Sequence, residues 1–319
     1  MGLQVYSGTA NPALAAEIAA RLGVPLGRRI LGRFADGETH VQIQESVRGE
    51  DVYVVQSTCP PVNEHLMDLL IMIDAFRRAA AGRINAVIPY FGYSRQEKKS
   101  TGREPITARL VADLLTTAGA NRVVSIDLHT PAIQGFFDIW MDHLTAVPLL
   151  SAYLAARPGP NTVVVAPDVG RAKMADRYAQ ALHVPLVVMH KRRPRPDVAV
   201  VKAVVGDVRD TSPIVIDDMI ATGGTVEECV EALVAEGARP DVRVAIVHPL
   251  LVDGAVERLR HPAIGEVVVT DTVPVPPEKR LANLTVLTVA DLLAETIRRL
   301  HENRSISELF APVAPAYPV

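Results

Sequence analysis

Two carboxylates and a turn of small residues stand close together in Ile214-Val-Ile-Asp217-Asp218-Met-Ile-Ala221-Thr222-Gly223-Gly224-Thr225. An apolar run leads in and an Ala- and Leu-containing run leads out, so the pattern predicts a strand, a glycine-rich turn and a helix. The backbone N–H groups of Thr222, Gly223, Gly224 and Thr225 can then turn inward at a helix start. Unpaired donors and the positive end of the helix dipole favour a phosphate there. Glycine lets the backbone come close to it. Asp217 and Asp218, at the carboxyl end of the strand, can accept hydrogen bonds from a vicinal diol. A sugar phosphate offers both groups to one such loop.

Other residues could serve a polyanion. Arg95, Gln96 and Lys99 lie just after Tyr90, Phe91 and Tyr93, and aromatics beside cations can stack on a purine while the charges meet phosphate oxygens. The residues alone leave a nucleotide site and a solvated basic loop equally open. Lys191-Arg192-Arg193-Pro194-Arg195-Pro196 follows an apolar run. Its prolines favour an extended loop that could close as a lid. His129, two residues after Asp127, offers a neutral imidazole for a divalent ion or a phosphate oxygen. Such sites must be local, because the net charge of −3 over 319 residues gives no global pull toward nucleic acid or a membrane surface.

These side chains need a frame. Short Val- and Ile-rich runs at 52–55, 86–88, 123–126, 163–166, 186–189, 214–216, 242–247 and 267–270 alternate with amphipathic segments. That is the pattern of an α/β protein with parallel sheets. Helix starts are expected at Asn11-Pro12, at Pro105 for a run reaching Leu115, and after Thr225. Asn85 to Gly92 resembles Asn161 to Gly170, and 123–127 resembles 214–218, each a strand ending in a carboxylate. Two copies of one doubly wound domain explain this, with a boundary near Pro148. Domains 1–147 and 148–319 are therefore expected, the extreme C-terminal tail packing on the first. No apolar run approaches the ~20 residues that span a bilayer. The N-terminus shows no basic segment leading into an apolar run, and Cys59 and Cys229 are the only cysteines. A reducing cytoplasm is the expected compartment.

Asp-Asp-x-x-x-Thr-Gly-Gly-Thr after an apolar strand resembles the 5-phosphoribosyl-pyrophosphate loop of the phosphoribosyltransferase fold. That resemblance implies two similar doubly wound domains of this type, with ribose 5-phosphate at Asp217, Asp218, Thr222, Gly223, Gly224 and Thr225. Four further segments resemble ribose-phosphate pyrophosphokinases in particular. Phe34-Ala-Asp36-Gly-Glu38 corresponds to a piece of the ATP site that a neighbouring subunit contributes. Pro89 to Lys99, continuing to Thr107, implies ATP contacts at Arg95, Gln96 and Lys99. Asp127-Leu-His129-Thr, with Gln134-Gly-Phe-Phe-Asp138, implies that His129 sits with Mg²⁺ and the ATP phosphates, and Asp168 in Pro167-Asp-Val-Gly170 is implied as the other metal ligand. Lys191 and Arg193 are implied as the catalytic cations that stabilise the transferring group.

The family's reaction moves the β,γ-pyrophosphoryl group of Mg-ATP to the 1-hydroxyl of ribose 5-phosphate. Its members form hexamers built from dimers, and the resemblance implies such a homohexamer here. Three positions depart from the usual pattern. Ala221 stands where an acid is usual, and Arg171 and Met174 replace the usual Gly and Arg. Two other readings compete: a non-catalytic regulatory homologue of the synthetase, and a phosphoribosyltransferase. Retention of His129, Lys191 and Arg193 argues against the first, and the segment from Arg95 to Lys99 argues against the second.

Overall fold

The computed structural model describes residues 1–192 and 201–310. The described chain divides into two compact units. One comprises Met1–Thr145, Thr272–Pro274 and the segment that begins at Thr288; the other comprises Ala146–Asp271 with Val275–Leu287.

In the first unit the elements are β1 (Leu3–Ser7), α1 (Pro12–Leu22), β2 (Arg29–Arg33), β3 (Thr39–Ile43), β4 (Asp51–Val55), α2 (Val62–Arg78), β5 (Arg83–Ile88), α3 (Thr107–Ala118), β6 (Arg122–Ile126) and β7 (Trp140–Leu144). Among the described residues a parallel sheet of five strands runs β1-β4-β5-β6-β7. Every residue of β4 is buried, as expected for a parallel strand covered on both faces. On one face Val52, Val54, Ile84, Ala86 and Ile88 pack with Leu69, Ile73 and Phe76 of α2 and with Val111 and Leu115 of α3. Each of these side chains larger than Ala86 contributes about 1.5–3 kcal/mol by leaving water. Asn11 caps α1 as expected, accepting from Leu14 N at 3.2 Å, and left-handed Gly23 ends it.

The hairpin β2–β3 stands apart from that sheet and is tied to α2 through Asp68. That carboxylate is wholly buried. It accepts from Arg33 Nη1 and Nη2 at 2.6 and 3.2 Å, from Thr39 Oγ1 at 2.8 Å and from Thr9 Oγ1 at 2.6 Å.

The second unit contains α4 (Val147–Ala155), β8 (Thr162–Ala166), α5 (Ala172–Leu182), β9 (Leu186–Arg192), β10 (Val201–Val205), β11 (Ser212–Ile220), α6 (Gly224–Ala235), β12 (Val242–Pro249), α7 (Ala255–Arg258), β13 (Ile264–Thr270) and β14 (Leu284–Leu287). Its sheet, seven strands among the described residues, is ordered β10-β9-β8-β11-β12-β13-β14. Only the edge strand β10 is antiparallel, paired with β9. The chain enters in the middle at β8, winds outward to β9, then returns to lay β11 on the other side of β8. This is double winding, and it creates a switch point where the loops after β8 and β11 leave the sheet beside each other.

The last long helix, α8 (Ala290–His301), belongs to the first unit. Leu293, Ala294 and Ile297 are buried, Arg298 Nη2 donates to Arg21 O at 2.9 Å, and His301 Nδ1 lies 2.8 Å from Asp51 Oδ2. Asp51 is wholly buried and also held by Arg83 at 2.5 Å and Asn85 at 2.9 Å. The pair β5–β6 and the pair β8–β11 correspond in being adjacent and parallel. They differ in connection, since α3 alone joins β5 to β6 whereas α5, β9 and β10 intervene between β8 and β11.

Candidate active site

The switch point of the second unit holds the glycine-rich loop expected to take a sugar phosphate. All nine residues of β11 are buried, which delivers Asp217 and Asp218 at 8% and 1% exposure. The chain then passes Ala221 and turns at Gly223, whose φ of 80° is open to glycine at little cost. Helix α6 starts at Gly224, and no side chain caps it. Thr225 therefore lies inside the first turn rather than ahead of the helix as expected, because left-handed Gly223 takes the cap position. Thr222 and Thr225 are exposed. From behind, Leu251 N donates to Ile220 O at 3.1 Å and Val252 N to Ala221 O at 2.9 Å. Arg258 Nη1 donates to Thr222 O at 2.6 Å. These bonds fix the loop while Thr222 and Thr225 stay exposed.

The loop after β8 supplies the facing residues. Asp168 is partly buried and starts a 3₁₀ turn, Val169–Arg171. Its Oδ1 accepts from Arg171 N at 3.1 Å. Arg171 reaches across the switch point, with Nε 2.9 Å from Asp217 Oδ1 and Nη2 3.2 Å from Asp218 Oδ1. Burial, then the neighbouring charge of Asp218, pushes the Asp217 carboxyl well above the usual range, with Arg171 pulling the other way. The sequence marked Arg171 only as a departure; its ion pairs depend on strand adjacency that local spacing does not carry.

In the first unit, the nucleotide-type residues fall on three segments. Phe34, Asp36 and Glu38 are exposed at the tip of the β2–β3 hairpin, where Phe34 N donates to Glu38 O at 2.8 Å and the Phe34 ring lies 4.8 Å from that of His40. After β5, Tyr90 and Phe91 are buried rather than open to stack on a base, while Arg95, Gln96 and Lys99 are exposed. Gln96 Oε1 accepts from Thr107 Oγ1 at 2.5 Å, which ties this loop to the start of α3. That helix begins at Thr107, two residues later than expected. Glu104 just before Pro105 instead accepts from Ser100 N and Thr101 N at 2.7 and 3.0 Å, making a turn of its own.

His129 follows β6 and is partly exposed. Its neighbours are tightly held: Thr145 Oγ1 donates to Asp127 Oδ1 at 2.8 Å, and Leu128 N donates to His143 Nε2 at 2.9 Å. His143 was not legible as a supporting residue, because it acts from the neighbouring strand β7. Strand β9 continues through Lys191 to Arg192 instead of ending near Met189, because β10 pairs with it, Lys202 opposite Lys191. Arg193 and the rest of the proline-containing loop lie outside the described residues. No group of three or more His, Cys, Asp or Glu at metal-holding spacing occurs among the described residues.

Comparisons with known proteins agree over nearly the whole chain. The profile for the N-terminal domain of ribose phosphate pyrophosphokinase matches residues 3–119, and that for the phosphoribosyl synthetase-associated domain matches 191–311. The ribose-phosphate pyrophosphokinase of Caldanaerobacter subterraneus subsp. tengcongensis is 50% identical over 309 residues, 97% of this chain and 98% of that protein. The Bacillus subtilis enzyme of the same name is 49% identical, covering 97% of each chain. The crystal structure of phosphoribosylpyrophosphate synthetase from Mycobacterium smegmatis superposes with a TM-score of 0.91 at 47% identity, over 95% of this chain and 100% of that one. With this likeness spanning both units, the chain belongs to the ribose-phosphate pyrophosphokinase family and is an enzyme.

Proposed function

We propose that this protein forms 5-phosphoribosyl 1-pyrophosphate and AMP from ribose 5-phosphate and ATP, with the residues named above. The observation that carries the ribose half is the joining of a buried carboxylate pair and an uncapped helix start by one short loop at a topological switch point. Thr222, Gly223, Gly224 and Thr225 bind the 5-phosphate, and Asp217 and Asp218 accept from the ribose 2- and 3-hydroxyls. The 1-hydroxyl oxygen attacks the β-phosphorus in line, and the bond from that phosphorus to the α,β-bridging oxygen breaks to release AMP. The hydroxyl proton passes to solvent; a loose transition state needs little help from a base. Phe34, Asp36 and Glu38 of a neighbouring subunit, with Arg95, Gln96 and Lys99, hold the nucleotide. Lys191 and Arg193 neutralise charge as it spreads over the transferring group.

Mg²⁺ suits the residues present. It keeps waters and substrate phosphates as ligands and takes only one or two protein groups, and the family resemblance implies the carboxylate of Asp168 and the imidazole of His129 for those places. When bound it lowers the repulsion between the phosphates and the attacking oxygen. No helix among the described residues is long and apolar enough to cross a membrane; two buried cysteines outside any disulfide, Cys59 and Cys229, support a cytoplasmic setting. The exposed hairpin tip supports a homo-oligomer, read here as a hexamer built from dimers.

The test is to incubate purified protein with ribose 5-phosphate, ATP and Mg²⁺, with and without inorganic phosphate, and follow both products. Equal amounts of AMP and phosphoribosyl pyrophosphate, lost in Lys191→Ala, support the reading. Folded protein that forms no AMP under either condition refutes it and points to a non-catalytic partner subunit.

A further inference from the structure

Asp217 and Asp218 present an electrostatic problem. Two adjacent carboxylates, 8% and 1% exposed, repel each other where water screens little, and like charges at such range resist joint ionisation. A diol reader needs both groups as acceptors in fixed positions. The structure supplies one forked cation: Arg171, its side chain 15% exposed, touches one oxygen of each carboxylate. A guanidinium presents its donors in a rigid plane, so it sets the spacing of the two acids as well as neutralising them. Arg171 is in turn fixed by its own backbone N–H on Asp168 Oδ1. Asp217 is held a second way, its Oδ1 accepting from Asp218 N at 2.8 Å. Each residue in this chain of contacts comes from one of the two strand ends that meet at the switch point.

We infer that Arg171 is a positioning residue for sugar recognition: it aligns Asp217 and Asp218 for the ribose diol, and so sets the preference for ribose 5-phosphate over 2-deoxyribose 5-phosphate. The inference rests on the assignment of this loop to ribose 5-phosphate. Arg171 touches neither the 1-hydroxyl nor the nucleotide in this reading, so its removal acts on sugar binding and leaves the chemical step largely intact. Lysine, a single ammonium without the fork, restores charge and only part of the alignment.

The experiment compares wild type, Arg171→Met and Arg171→Lys for AMP release with each of the two sugars. In Arg171→Met the KM for ribose 5-phosphate rises roughly tenfold or more, the scale of a lost charge-assisted contact, while kcat stays within about threefold and the KM for ATP is unchanged. The preference for ribose over deoxyribose falls by a similar factor, and Arg171→Lys lies between. A purely structural role would lower activity with both sugars alike. An unchanged or lowered KM in folded Arg171→Met or Arg171→Lys, or an unchanged sugar preference, overturns the inference. Wild type that makes no AMP refutes the functional assignment instead. Should the Met variant not fold, the Lys variant decides, with a raised KM and reduced preference expected.

Discussion

Removing the Asp68 carboxylate should loosen the β2–β3 hairpin without disturbing the sheet. Asp68 sits on α2, fully buried, and receives two bonds from Arg33 and one each from Thr39 and Thr9. Hydrogen bonds to a charged group contribute about 1.5–3 kcal/mol each in favourable cases. In Asp68→Ala, however, Arg33 is 31% exposed and can rehydrate, and both threonine hydroxyls can find other partners. After that discount the hairpin loses about 2–3 kcal/mol of local stability. By the tenfold-per-1.36 kcal/mol rule, amides of Arg29–Arg33 and Thr39–Ile43 then exchange with deuterium roughly 30- to 150-fold faster, while those of Arg122–Ile126 are unaffected. Burial alone would push the Asp68 carboxyl up, but bonds from Arg33, Thr9 and Thr39 outweigh it and leave it below the usual range. A depressed acid contributes stability in full above its unfolded value and loses it as pH falls through its folded one. The ratio of variant to wild-type exchange should therefore shrink below about pH 4, the unperturbed carboxylate value. A neutral-pH ratio under about threefold, or one that stays constant into acid, would refute the reasoning.

Three further outcomes follow from the geometry. Asp217→Asn removes a carboxyl held well above its usual range by burial and by Asp218; such a group costs stability as pH rises through that window, so the unliganded variant should melt higher at neutral pH while its KM for ribose 5-phosphate rises roughly tenfold. A lower melting temperature at neutral pH would contradict this. Gly92→Ala would drive a Cβ into Thr58 O, costing about 1–3 kcal/mol and raising the KM for ATP by shifting the following loop; an unchanged thermal melt would show that the loop yields freely. Chelation by EDTA should stop AMP release with the far-ultraviolet circular dichroism unaltered, because no described cluster makes a metal a structural staple; loss of secondary structure on chelation would count against it.

Much of this fold was legible because its strands are chemically explicit. Val-rich runs such as 163–166 sit in parallel strands buried on both faces, where the residues themselves state their environment. The strand, glycine turn and helix around Asp217 and Asp218 were legible for the same reason, because an apolar strand, paired acids, glycines and a helix are all local. What escaped was non-local. Nothing near Leu186 announces that β9 runs on to Arg192, since a partner strand beginning at Val201 extends it. Arg171 reads as a substitution until β8 and β11 are known to be neighbours. His143 and Asp68 act on loops remote from them in sequence. Tyr90 and Phe91, expected beside the purine, are core residues beneath the loop instead.

The return of α8 to the first unit has a consequence for synthesis on the ribosome. The nascent chain completes nearly all of the second unit's sequence before the segment from Thr288 onward has been made. Until then Asp51, wholly buried in the finished protein, lacks His301, and the face of α1 bearing Arg21 lacks its partner helix. The second unit, whose described residues are continuous apart from Thr272–Pro274, can close on itself while the first waits. Translation therefore orders assembly against the numbering, and a stop codon just before Thr288 would leave the N-terminal unit open and the C-terminal one nearly whole.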